Sequence, residues 1–364
     1  MEDAIKKLIE IQKNTGTQPI GWNEDYQNWI IDDVKKRSGS MDEEGIRKSV
    51  EEIINSFSTY SLPTQYESML HYPVLFDLLN ELYKAKDIAL ENSSDVDINI
   101  AIPTIGTAQL SGLNALSDCK TNLIVVDRSL YFFLSSIVTI ILPLFISIQN
   151  GDKVILPSAL RAETLSQKIK ENPEICKRFT EMLCSYVLFK TTWPYERYYC
   201  KDRAISNLDD IISREVLRFV VAHEFAHLLY RDKESTPIVE RRADYLGAYL
   251  CTTAMFLDEE LRKKDLYWAM AIAVKVLDVL TICRGLFLPA RPIETHPSNR
   301  INTIAEVFDL VKADPYSKRM VRVVHGAFTL LWYAVKPAVS GIAQAWNAGR
   351  IQTIGEIKAI ISYQ

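Results

Sequence analysis

Residues 220–230 read VVAHEFAHLLY, an apolar run that carries His223, Glu224 and His227 in its middle. A charged group buried in such surroundings is costly unless it is paired or bound to a cation. Val216 to Tyr230 contain neither proline nor glycine, so the stretch predicts a helix, with Ser213 as the candidate N-cap. On a helix, positions i and i+4 share a face, and both imidazoles can reach one ion. Glu224 then stands where its carboxylate can touch a water held by that ion without ligating the ion itself. The pattern is H-E-x-x-H. Its alternative is a core helix whose three polar residues find local partners.

The following stretch, RDKESTPIVERRADYLGAYL (231–250), favours the first reading. Thr236 followed by Pro237 is a helix start, an N-cap with proline at the first helical position. One helix therefore ends near Asp232 and another begins near Pro237, making an antiparallel hairpin. Residues equidistant from the turn stand level, which pairs His227 with Glu240 and His223 with Asp244. Glu240 is thereby the candidate third zinc ligand. Asp244 is the candidate acceptor for the remaining ring N–H of His223, a contact that sets the imidazole tautomer. Taken singly, Glu240 also suits a solvated helix-start carboxylate favoured by the dipole. A third histidine in the extended H-E-x-x-H-x-x-G-x-x-H arrangement is excluded, because Tyr230 and Lys233 occupy the required positions. His296 is the non-local alternative to Glu240 and ranks behind it.

His296 belongs to ETHPSNRI (294–301) and precedes Pro297, so it can cap the next helix. A donor at a helix N-terminus stabilises the oxyanion formed when a carbonyl is attacked, which makes His296 a catalytic candidate beside Glu224. An ordinary cap or surface residue explains it equally well. Arg300 and Tyr245 are alternative donors to an oxyanion or to substrate. His71 and His325 read as structural, since no sequence partner accompanies either.

Around this hairpin the 364 residues alternate in texture. Residues 1–90 read as helical, with Ser40 and Glu43 forming a capping box, and are taken as an N-terminal region for recognition or regulation. From 91 to 364 the chain is assigned to a catalytic domain. Val96, Ile98, Ile100 and Ile102 alternate with polar or small residues, predicting a strand, as do residues 122–127 and 153–156. Long helices are expected near 259–286 and 318–336. The fold class is therefore α+β, mainly α, with a small antiparallel or mixed β-sheet. Residues 129–151 carry no charge and reach the length of a membrane span, but Pro143, the serines and balanced flanking charges favour a buried core helix. Net charge is −4 without a basic cluster, which argues against nucleic acid as a partner. Six cysteines lie scattered with no C-x-x-C pair, and the N-terminus lacks a hydrophobic signal core; both fit the cytoplasm.

In order, HEFAH, ERRAD and THPSNRI resemble the gluzincin zinc peptidases, and more narrowly the Lit-type phage-exclusion peptidases of bacteria. The resemblance spans roughly residues 120–340; residues 1–90 have no counterpart, and the connection after Thr295 is shorter here. It implies a zincin-like helical hairpin, with His223, His227 and Glu240 as zinc ligands. Glu224 would act as general base and acid, with Asp244 behind a ligand. It further implies a cytoplasmic endopeptidase acting on a protein or peptide substrate in phage defence. Two other readings remain: a non-catalytic sensor or interaction protein stabilised by metal, and a membrane-associated zinc peptidase using 129–151. The CAAX-processing and membrane stress peptidases share the H-E-x-x-H logic.

Overall fold

A computed structural model describes residues 1–19, 28, 30–32, 34–35, 42–68, 71–91, 95–110, 114–149, 153–155, 162–190, 203–257, 267–288 and 300–362. Helices α1 (Glu2–Asn14), α2 (Glu43–Ser58) and α3 (His71–Ala89) precede strands β1 (Thr104–Ala108), β2 (Ala115–Asp118) and β3 (Leu123–Asp127). Helix α4 (Leu130–Phe145) leads to a short antiparallel hairpin, β4 (Ser147–Gln149) and β5 (Lys153–Ile155). There follow α5 (Ala162–Glu171), α6 (Pro173–Phe189), α7 (Arg203–Tyr230), α8 (Pro237–Leu257) and α9 (Ala269–Phe287). The chain ends with α10 (Arg300–Leu310), α11 (Pro315–Asn347) and α12 (Ile354–Ser362). The fold is mainly helical with a small mixed sheet, as the sequence predicts.

The sheet has the order β1-β3-β2, with β1 parallel and β2 antiparallel to β3. All five residues of β3 are buried, because both faces of the central strand are covered. One face packs against α3, α4 and α7; the other is covered by α1, whose Ala4 and Leu8 meet Ala108, Leu110, Leu123 and Val125. Gly106 permits that close cover, since a Cβ there would stand 2.5 Å from the Leu8 side chain.

Helix α7 packs against α3, α4, α8, α9 and β2. Its buried Arg218 is held by Glu215 at 2.7 Å and by Glu81 of α3, which also takes Arg214 at 2.5 Å. Leu75, Leu78, Leu79 and Leu82 of α3 thus join the same core as α7 and α8, across the boundary near residue 90. Helix α4 is the buried alternative for 129–151, with twelve residues from Leu130 to Phe145 inside the core. Lys168 donates to the carbonyls of Pro143, Leu144 and Ile146, which the end of that helix leaves without backbone partners. Among the described residues no helix is long and apolar enough to cross a membrane.

Two local expectations are corrected, and a third lies outside the described residues. Residues 96–102 are not a strand: side chains take their carbonyls, with Tyr83 and Lys86 of α3 donating to Ile100 and Ile98, and Asn122 to Ala101. Ser213 is no N-cap, because α7 begins ten residues earlier and Ser213 lies inside it, bonded to Asp209. At α2, Asp42 accepts the Gly45 N–H at 2.9 Å, and Ser40 lies outside the described residues.

Candidate metal centre

The hairpin α7–α8 brings His223, His227 and Glu240 together. The Nε2 atoms of the two histidines are 3.1 Å apart, and Glu240 reaches them at 3.2 and 3.7 Å. All three residues are buried, yet they line a cleft of about 260 Å³. The chemistry of the contacts decides what these distances mean. Nδ1 of His223 lies 2.8 Å from Asp244, and Nδ1 of His227 lies 2.8 Å from Asp232. A carboxylate can only accept, so each Nδ1 carries a proton, and it is the lone pair of each Nε2 that would face a metal ion. Two nitrogen lone pairs and a carboxylate therefore converge on one point. Such a cluster repels itself without a cation, and a tetrahedral ion with bonds of about 2.0–2.1 Å needs ligands about 3.3 Å apart. The cluster can hold a metal ion.

The electrostatics agree. Burial opposes charging His223, but hydrogen bonds to Asp244 and Glu240 outweigh it and hold its pKa at about 10. Burial likewise raises the Glu240 carboxyl, and the His223 contact overrides it, leaving the group well below its usual range. The site thus attracts positive charge, which a proton supplies when a metal does not.

Each supporting partner is positioned by local structure. Thr236 caps α8, its Oγ1 accepting the Val239 N–H, so Glu240 comes one turn into the helix as predicted. Ser235, just before the cap, donates to Glu240 at 2.7 Å. At the end of α7, Arg231 takes a left-handed φ of 53°, while the N–H groups of Asp232 and Arg231 bond the carbonyls of His227 and Leu228. This Schellman ending turns the chain back so that Asp232 faces His227. Arg242 pairs with the other Asp232 oxygen while lying over the Tyr230 ring. The role of Asp232 was not read from the sequence; an acidic residue immediately after a helix end with i+5 spacing was the available signal.

Asp244 is fully buried and meets a fully buried Arg300, whose Nε donates at 2.6 Å and whose Nη2 donates to the other oxygen. Arg300, expected as an oxyanion or substrate donor, lines the cleft but commits its fork to Asp244. Tyr245 is half-buried and packs against the core rather than among the residues that line the cleft. His296 lies outside the described residues. His71 is buried against Tyr131 and Phe132, and His325 is exposed on α11, both away from this cleft.

Glu224 is half-buried and lines the cleft; among the described residues nothing hydrogen-bonds its carboxylate. The same cleft is lined by β2, an edge strand, which contributes Ala115, Leu116 and Ser117. Gly247 lets the two helices approach closely: a Cβ there would stand 3.0 Å from the backbone nitrogen of His223 and 3.2 Å from Ala222. No known family, curated protein or solved structure matches the chain.

Proposed function

We propose that this chain is a zinc-dependent endopeptidase of the gluzincin type. The observation that carries the reading is the meeting of His223, His227 and Glu240 in one cleft beside an unengaged Glu224 carboxylate. Two imidazoles and one carboxylate suit zinc, and three protein ligands leave a position open, as catalytic zinc sites do. Zinc, when bound, supplies a Lewis acid that polarises a carbonyl and lowers the pKa of a bound water.

The chain's own residues do the rest. Glu224 takes a proton from the attacking water on its carboxylate and delivers it to the nitrogen of the leaving amine. Asp244 and Asp232 hold the imidazoles in the Nδ1–H tautomer, and Arg300 holds Asp244. His296 keeps the role of oxyanion donor. A peptide lies along the outer edge of β2, adding a strand to the sheet. The segments 96–102 and 122–127 do not offer that edge, since the first is no strand and the second is the central one. The resemblance to Lit-type peptidases supports a protein substrate and a role in phage defence.

The test is Glu224→Gln, which is expected to keep an equivalent of zinc and to lower cleavage by about a hundredfold or more. The substrate is the cellular protein cut in the presence of wild type and left whole with the variant. Undiminished hydrolysis by the variant, or wild type purified without chelators and free of metal, sinks the reading.

A further inference from the structure

The cleft contains a cation that the metal centre does not use. Arg284 on α9 lines it together with Leu277, seven residues earlier and on the same helix face. Its Nη2 donates to Asn114 Oδ1 at 2.7 Å, and among the described residues no carboxylate forms an ion pair with it. Arg300, in the same cleft, is neutralised by Asp244. Arg284 is instead accompanied by a second cation, Lys190, whose ammonium stands 4.4 Å over the Tyr186 ring. Asp127, which acts on Lys190, is buried and occupied by the N–H groups of Leu110 and Ser129. Burial lowers the Lys190 ammonium to about 8, and Arg284 pushes it the same way against Asp127. Arg284 itself thus meets the cleft with an amide, not a carboxylate, as its hydrogen-bond partner among the described residues.

Its place along the cleft follows from β2. Beyond the far end of the strand, Cys119 donates to the carbonyls of His227 and Asp232, so that end abuts the metal-bearing turn. Asn114, which holds Arg284, precedes the near end, about 16 Å away along an extended chain. A peptide lying on β2 therefore passes Arg284 several residues from the metal-bearing turn. Leu277 beside it offers an apolar wall for a methylene stem.

We propose that Arg284 is the carboxylate anchor of the cleft and selects substrates that carry a carboxylate over the Asn114 end of β2. An acidic side chain and a free chain terminus supply the same chemistry. This inference deepens the peptidase reading and rests on it for the orientation of the peptide, so its test reads binding separately from cleavage.

The probes are fluorescent alanine-based peptides, acetylated and amidated, with one Glu stepped through successive positions, each matched by a Gln peptide. A third set carries a free C-terminus and no acidic side chain. Binding is measured to the full-length, zinc-loaded Glu224→Gln protein. At one position the Glu peptide is expected to bind about tenfold to a hundredfold more tightly than the Gln peptide. Preference for the third set instead assigns the anchor to a chain terminus. Arg284→Ala should erase the preference, Arg284→Lys should keep part of it, and Arg284→Glu should turn it toward a Lys peptide. Zinc content shows that each variant is folded. Equal binding of Glu and Gln peptides together with no gain from a free terminus, or a preference that survives Arg284→Ala and Arg284→Glu, overturns the anchor. Wild-type protein is then incubated with the tightest peptide. Arg284-dependent binding without cleavage leaves the anchor standing and removes the peptidase reading; cleavage without carboxylate preference does the reverse.

Discussion

Asp232 shows how one side chain governs another's chemistry. It accepts the Nδ1 proton of His227 and so directs the Nε2 lone pair toward Glu240 and His223. Without it, the imidazole is free to rotate or to carry its proton on the wrong nitrogen. Asp232→Ala is therefore expected to weaken zinc binding about 10- to 100-fold while the helices remain folded, read by competition with a chromophoric chelator. Unchanged affinity would mean that the Schellman ending alone orients His227. Asp244 works differently, because it is fully buried and answers to both His223 and Arg300. Arg300 and His223 hold its carboxyl below the usual range despite burial.

Between elements, close approach is what makes the centre. Gly247 puts the backbone of α8 against that of α7 at His223, and the opposing atoms are main chain, which cannot swing aside. Gly247→Ala is expected to push the helices apart by a few tenths of an ångström. It should cost about 1–3 kcal/mol of stability and lower zinc affinity more than a substitution of equal cost elsewhere in α8. Denaturant unfolding together with metal titration checks both. A second joint ties α1 to the sheet: Glu67 accepts from Gln12 at 2.6 Å and from the N–H and hydroxyl of Thr107. Burial pushes the Glu67 carboxyl up to about 7, overcoming those hydrogen bonds and the pull of Arg128. A carboxyl raised on folding binds protons more tightly in the native state, so stability is full below the unfolded pKa near 4.5 and falls as pH rises to about 7. The decline has an upper size on the order of 3 kcal/mol. Glu67→Gln should flatten that part of the stability–pH curve, measured against wild type by urea midpoints at successive pH values.

At the scale of the molecule, the N-terminal helices are part of the core rather than an appendage. α3 supplies Leu75, Leu78, Leu79 and Leu82, each almost fully buried, and α1 covers the opposite face of the sheet. Deleting residues 1–90 removes α1 from one face of β1 and β3 and α3 from the other face of β1, and leaves Arg218 without Glu81. Such a truncation is expected to lose cooperative unfolding and to bind hydrophobic dye. A well-folded, zinc-binding fragment would instead make those ninety residues a separable unit. α2 differs, because its Val50 belongs to a satellite cluster with Ile30 and Val34.

What local spacing settled was the hairpin. The i and i+4 placing of His223 and His227, the Thr236–Pro237 start and the level pairing with Glu240 and Asp244 all follow from helical geometry alone. Helix α4 and strand β3 were legible for a similar reason, since continuous apolar runs leave few alternatives to burial. The rest depended on residues distant in the chain. Residues 96–102 alternate like a strand, yet side chains from α3 and Asn122 claim their carbonyls, and no periodicity reports that. Asp232 reaches His227 only because Arg231 adopts a left-handed backbone, a choice made where the helix ends. Arg300 finds Asp244, Arg284 finds Asn114, and β2 becomes the edge beside Glu224 through packing across 56, 170 and more than 100 positions respectively. Side-chain periodicity carries information over a few turns of helix or a single strand. Long-range partnership is decided by which surfaces bury each other, and only the folded chain contains that answer.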